Sequence, residues 1–204
     1  MKKILRGIIR RFFGATRGFG HPVSAAAFDS EFHSGHWQLL DSSDENSRYA
    51  TLLSLIRTYG VRKPILLDAG CGSGRLAQSF HPGELSLYHG VDLSNEAIRH
   101  ARVSALAGAE FQQDDLETWT TSARYDVIVI NEVMGYFHDP RATLARLSTF
   151  LEPNGILIVS LYRWGNAPAI WKRVSPRFHT VHAGVTANAA GDKVWDIRVL
   201  RPRT

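Results

Sequence analysis

Three glycines alternate behind an acid in Leu66-Leu67-Asp68-Ala69-Gly70-Cys71-Gly72-Ser73-Gly74-Arg75, where an apolar run gives way to a helical pattern. Glycine has no Cβ, so this loop can take backbone angles closed to other residues and let a ligand approach its main chain. The start of a following helix would add free N–H groups. Eighteen residues after Gly74, Asp92 closes a second apolar run, Tyr88-His89-Gly90-Val91-Asp92-Leu93-Ser94. A carboxylate there can accept hydrogen bonds from two adjacent hydroxyls, as on a ribose. Standing alone, it could equally start a helix. A third acid pair, Asp114-Asp115, follows Phe111-Gln112-Gln113. Past the run Tyr125–Asn131 stand Glu132, Tyr136, His138 and Asp139, of which His138 is the side chain whose ordinary titration lies closest to neutral pH. The alternative for Tyr136-Phe137-His138-Asp139-Pro140 is a loop that shapes and starts the next helix.

The elements that position these residues read as an α/β alternation. A helix from Glu45 to Tyr59 ends at Gly60. Strands are expected at Ile65–Ala69, Leu85–Asp92, Ala109–Gln113, Tyr125–Asn131 and Gly155–Tyr162, with helices at Ser73–Phe80, Asn95–Leu106 and Pro140–Leu151 between them. Such alternation predicts a mostly parallel sheet with helices on both faces. About nine residues separate Asp115 from Tyr125, leaving room for only one or two helical turns in that crossover. Arg177–Thr186 and Lys193–Leu200, joined by a turn-rich loop, predict a terminal antiparallel hairpin.

The glycine spacing is Asp-x-Gly-x-Gly-x-Gly, one residue tighter than the G-x-G-x-x-G loop of dinucleotide sites. It resembles the first motif of class I S-adenosylmethionine-dependent methyltransferases, a resemblance that extends over about residues 45–162. It implies a Rossmann-like seven-stranded sheet of order 3-2-1-4-5-7-6 and S-adenosyl-L-methionine as cofactor. It further implies cofactor contacts from Asp68, Ala69, Gly70, Cys71, Gly72 and Gly74, from Asp92 and Leu93 at the ribose, from Asp115 or its neighbour Asp114 together with Leu116 at the adenine, and from Asn131 and Glu132 at the end of the fourth strand. Leu151-Glu152-Pro153-Asn154-Gly155 resembles the family's turn into the fifth strand. His138, Tyr136 and Glu132 are the candidates for a catalytic base.

Absences narrow the acceptor. The fourth strand ends Asn131-Glu132-Val133-Met134 rather than in the Asn/Asp-Pro-Pro-aromatic pattern of enzymes that methylate base amino groups. The single cysteine, Cys71, sits in the glycine loop and not where it could attack a pyrimidine. The resemblance therefore points to a small-molecule acceptor at O or N, sugars and lipid-linked compounds included, ahead of an RNA or protein acceptor or a non-catalytic partner subunit. The aromatic, histidine-rich stretch before the first body helix supplies His33, His36 and Trp37 as candidate substrate contacts. No metal set completes His33-x-x-His36 or His179-x-x-His182.

The formal charge of +5 is unevenly distributed. Residues 1–20 hold six bases and no acid, and residues 171–204 hold seven bases against two acids, so the stretch between them is acidic. The division does not support a uniform phosphate-binding face, and nucleic acid becomes the less favoured partner. Ile4, Leu5, Ile8, Ile9, Phe12 and Phe13 share one side of a basic amphipathic helix, which either lies on an anionic membrane or docks on the body. The arginines that interrupt it argue against a secretory signal, while an Arg-rich start also fits a mitochondrial transit peptide. The division expected is 1–24 as helix and linker and 25–204 as one domain. One cysteine and no apolar run of spanning length fit a cytoplasmic protein, peripheral to a membrane if the first helix binds one.

Overall fold

A computed structural model describes residues 24–37, 42–103 and 106–203. The expected amphipathic helix and most of its linker, residues 1–23, lie outside the described residues.

Seven strands form one sheet in the order β3-β2-β1-β4-β5-β7-β6, as the resemblance implies. They are β1 (Ile65–Ala69), β2 (Leu87–Asp92), β3 (Glu110–Gln113), β4 (Tyr125–Asn131), β5 (Leu151–Tyr162), β6 (Phe178–Ala187) and β7 (Val194–Pro202). The first five pair in parallel, and β7 runs antiparallel between β5 and β6. β4 reads as an unbroken apolar run because both its faces are covered: Val127, Ile128, Val129 and Ile130 are fully buried. Alternate residues feed two cores. Leu67, Ile128, Ile130, Leu157 and Val159 share one, and Leu66, Val127, Val129, Ile156 and Ile158 share the other.

The helices are α1 (Ala25–His33), α2 (Asn46–Tyr59), α3 (Asn95–Val103), α4 (Pro140–Leu147) and α5 (Ala167–Val174). Local chemistry starts several of them. The Ser24 side chain accepts from Ala27 N, the Ser94 hydroxyl from Ala97 N, and the Asp139 carboxylate from Arg141 N and Ala142 N with Pro140 in the first turn.

Two expectations need correction. No α-helix spans Ser73–Phe80: turns lead to a short 3-10 segment at Ala77–Ser79. The glycine turn uses the first residues of that stretch and His81-Pro82-Gly83 ends it, so too few residues remain to propagate a helix. The helix after β4 stops at Leu147 and tightens into a 3-10 turn, Ser148–Phe150, while β5 begins earlier than expected, at Leu151.

Parallel strands place their C-terminal ends on one edge of the sheet. Ala69, Asp92, Gln113 and Asn131 all reach that edge, and the antiparallel pairing Tyr162↔Trp195 extends it onto β7.

Candidate active site

A cavity of about 420 Å³ lies along this edge. Its floor is the glycine turn. Gly70 and Gly72 have φ of 82° and 52°, in the left-handed region that favours glycine. A Cβ on Gly70 would stand 2.2 Å from Val133 Cγ2, so the turn packs tightly beneath. One on Gly72 would meet only Phe32 Cζ at 3.9 Å, so this main chain is open towards the cavity.

Asp92 holds the turn and the next helix together. Its Oδ2 accepts from Gly72 N at 2.8 Å and its Oδ1 from Ser94 N at 2.9 Å. Each oxygen keeps a lone pair for a ligand hydroxyl. Burial raises its carboxyl above the usual range, and the backbone N–H groups work against that rise.

The expected cofactor residues divide into two groups. Gly70, Gly72, Asp92, Leu93, Asp115, Leu116, Asn131 and Glu132 line the cavity. Asp68, Ala69, Cys71, Gly74 and Asp114 are not among the lining residues. Asp68 is 2% exposed and accepts a hydrogen bond from the Tyr88 hydroxyl, so it braces β1 against β2. Cys71 is buried in the core beside Gly90. Asp114 turns its carboxylate back onto Gln112 and Asp115 N.

Among the candidate bases, His138 is an exposed side chain, 72% accessible, whose Nδ1 lies 2.6 Å from Glu117 Oε2. Glu117 also accepts from His138 N, and these hydrogen bonds lower its carboxyl against the opposing effect of burial. Tyr136 packs edge-on to Phe28 and Trp37, with ring centroids at 5.4 and 6.3 Å. Glu132 is partly buried at the end of β4. Among the expected substrate contacts, Trp37 lines the cavity with Phe28 and Phe32 of α1, while His33 and His36 are not among the lining residues.

A charged cluster at the β4–β5–β7 end escaped the sequence reading. Arg48 on α2 is 1% exposed, and donates to Glu45 Oε2 at 2.6 Å and to Asn131 Oδ1. Its Nε–H is buried without a hydrogen-bond partner among the described residues. Ser160 Oγ lies 2.8 Å from Asn131 Oδ1 and 2.7 Å from Glu132 Oε1. Lys193, in the turn between β6 and β7, reaches Glu45 at 3.2 Å and Asp44 at 3.1 Å. Arg48 occupies the same helical stripe as Leu52 and Leu55, both buried. A cation in an apolar stripe is the one signal that could have revealed the cluster. Lys193, Tyr162 and Trp195 also line the cavity, and their sequence context carries no comparable sign.

Among the described residues, no group of three or more His, Cys, Asp and Glu side chains is placed to hold a metal ion, and no helix is long and apolar enough to cross a membrane.

The chain is 34% identical over 133 residues to the trans-aconitate 2-methyltransferase of Azoarcus sp. (strain BH72), covering 65% of this chain and 52% of that protein. It is 35% identical over 107 residues to the malonyl-acyl-carrier-protein O-methyltransferase of Halalkalibacterium halodurans, covering 48% and 38%. The chain thus spans about half or less of the length of these curated relatives. Among solved structures, the N-methyltransferase NodS from Bradyrhizobium japonicum WM9 in complex with S-adenosyl-L-homocysteine superposes with a TM-score of 0.69 at 21% identity, covering 82% of this chain and 92% of that one. At that identity the likeness concerns the fold. The profile of the family described as methyltransferase domain matches residues 42–190, and the chain belongs to that family of S-adenosylmethionine-dependent methyltransferases.

Proposed function

We propose that this protein transfers a methyl group from S-adenosylmethionine to O or N of a small-molecule acceptor. One observation carries the reading: the open glycine turn and the two acids Asp92 and Asp115 line a single cavity along the C-terminal edge of the sheet. Open α/β sheets bind ligands at this edge.

The residues fit the cofactor's parts. Asp92 at the end of β2 presents free lone pairs to ribose hydroxyls. Asp115 and Leu116, after β3, suit the adenine. The open main chain of Gly72, with Gly70 beside it in the cavity lining, lies next to the place left for the methionyl portion. Bound S-adenosylmethionine supplies an electrophilic methyl group, so the protein's work is to orient the acceptor and exclude water. The aromatic side chains Phe28, Phe32 and Trp37 close one side of the cavity, which suits a small acceptor. The names of the trans-aconitate and malonyl relatives support the same class.

Calorimetry with S-adenosylhomocysteine tests the cofactor assignment. Asp92→Ala, which removes the charged acceptor of the ribose hydroxyls, is expected to weaken binding about 10- to 100-fold. Unchanged affinity would remove Asp92 from the site.

A further inference from the structure

Sheet order divides the cavity. If the nucleoside lies over the ends of β2 and β3, as the proposed function has it, the methionyl portion lies over β1, and the space beyond belongs to the acceptor. That space is bounded by β4, β5 and β7, through Asn131, Glu132, Tyr162, Trp195, Arg48 and Lys193. Glu132 stands at the boundary between the two halves.

Its backbone is unusual. Glu132 has φ of 64°, in the left-handed region that a side-chain-bearing residue rarely adopts. The carboxylate is fixed all the same: Oε1 accepts from Ser160 Oγ at 2.7 Å and Oε2 from Tyr162 N at 2.9 Å. Each oxygen retains a further lone pair. A strained residue held rigidly at a cavity wall is the pattern of a functional position.

The charges around Glu132 set the class of acceptor. Arg48 is paired with Glu45, and Lys193 with Asp44 and Glu45. Both cations are thereby matched by acids of their own cluster, and neither is left to pair with an anionic acceptor beside Glu132. Tyr162 on β5, and Tyr136 and His138 after β4, are further titratable groups lining the cavity, with Asp92, Asp115 and Glu117 towards β2 and β3. A carboxylate acceptor would add a like charge and has no proton to lose. An amine or hydroxyl group can donate to Glu132 and needs somewhere to send its proton.

We propose that Glu132 receives the proton of the acceptor nucleophile, and that the acceptor is an amine or hydroxyl compound. The inference rests on the proposed methyl transfer. A lone pair on the acceptor's nitrogen or oxygen forms the new bond to the methyl carbon, and the carbon–sulfur bond breaks with its electrons left on sulfur. The acceptor's proton passes to a Glu132 oxygen, leaving methylated acceptor, S-adenosylhomocysteine and a protonated Glu132 that later releases its proton to solvent. Burial holds the Glu132 carboxyl above the ordinary glutamate range, Arg48 partly opposing it, which makes the carboxylate a better proton acceptor.

Sinefungin, a cofactor analogue with an amine at the position of the transferable methyl, tests this placement without an identified acceptor. The wild-type protein is expected to bind sinefungin at least about 10-fold more tightly than S-adenosylhomocysteine, and E132Q to lose that preference, its sinefungin affinity falling about 10-fold further than its S-adenosylhomocysteine affinity. Equal preference in both proteins would overturn the proposal, as would methylation of trans-aconitate. Should E132Q fail to fold, the wild-type protein decides alone: sinefungin bound no more tightly than S-adenosylhomocysteine overturns the proposal. Failure of the wild-type protein to bind S-adenosylhomocysteine at all would instead sink the proposed function.

Discussion

Replacing Asp68 by asparagine should flatten the dependence of stability on pH. The Asp68 carboxyl is pushed from 3.8 to about 7, chiefly by burial and also by the negative charge of Asp92, with the Tyr88 hydroxyl and Arg48 acting the other way. A carboxyl raised on folding takes up a proton as the chain folds. Its stabilisation relative to the unfolded chain is complete below the unfolded value and is lost as pH rises through the folded one. The full difference corresponds to about 4 kcal/mol, of which about 3 kcal/mol is lost between about pH 5 and 8. The asparagine of the variant carries no titrating charge but can still accept from Tyr88. Asp92 and Glu132 are raised as well, so the wild-type slope is a sum, and subtracting the variant's slope leaves the contribution of Asp68 together with its coupling to Asp92. Urea unfolding followed by circular dichroism at several pH values across that window gives both curves. If they run parallel to within about 0.5 kcal/mol, Asp68 is ionised in the native protein at neutral pH and the burial argument is refuted.

Gly70→Ala should cost about 2–5 kcal/mol in urea unfolding, the sum of a left-handed backbone and the collision with Val133. Gly72→Ala, which meets only Phe32, should cost no more than about 1–2 kcal/mol yet weaken S-adenosylhomocysteine binding, and similar stability losses at both positions would contradict the described packing. The Cys71 thiol, raised well above its usual range by burial and by Asp92 and Asp68, should resist Ellman's reagent in the native protein and react once urea unfolds it. Prompt native labelling would show that the cysteine is open to solvent.

What the sequence by itself determined has a short range. Asp-x-Gly-x-Gly-x-Gly between an apolar run and a polar one specifies a turn at a strand end, because only glycine readily tolerates the left-handed backbone of Gly70 and Gly72. Apolar periodicity specified the strands, and capping residues such as Asp139 before Pro140 specified helix starts. The family resemblance added the sheet order and the placing of Asp92 and Asp115. Where local pattern competed with chain length it misled, and the expected helix at Ser73–Phe80 is reduced to a turn and a short 3-10 segment.

The tertiary structure alone decided which side chains share the cavity. Glu117 meets His138 across 21 residues, Arg48 meets Asn131 across 83, and Lys193 meets Glu45 across 148. No local spacing encodes such pairs; they follow from the sheet order, which brings segments distant along the chain to one edge of the sheet. The same arrangement separated the three candidate bases. His138 is exposed and tied to Glu117, Tyr136 is packed among aromatic rings, and Glu132 is held by β5 at the boundary of the acceptor space. The three come to differ in burial and in neighbouring charge because both depend on elements that are distant along the chain and adjacent only in the fold.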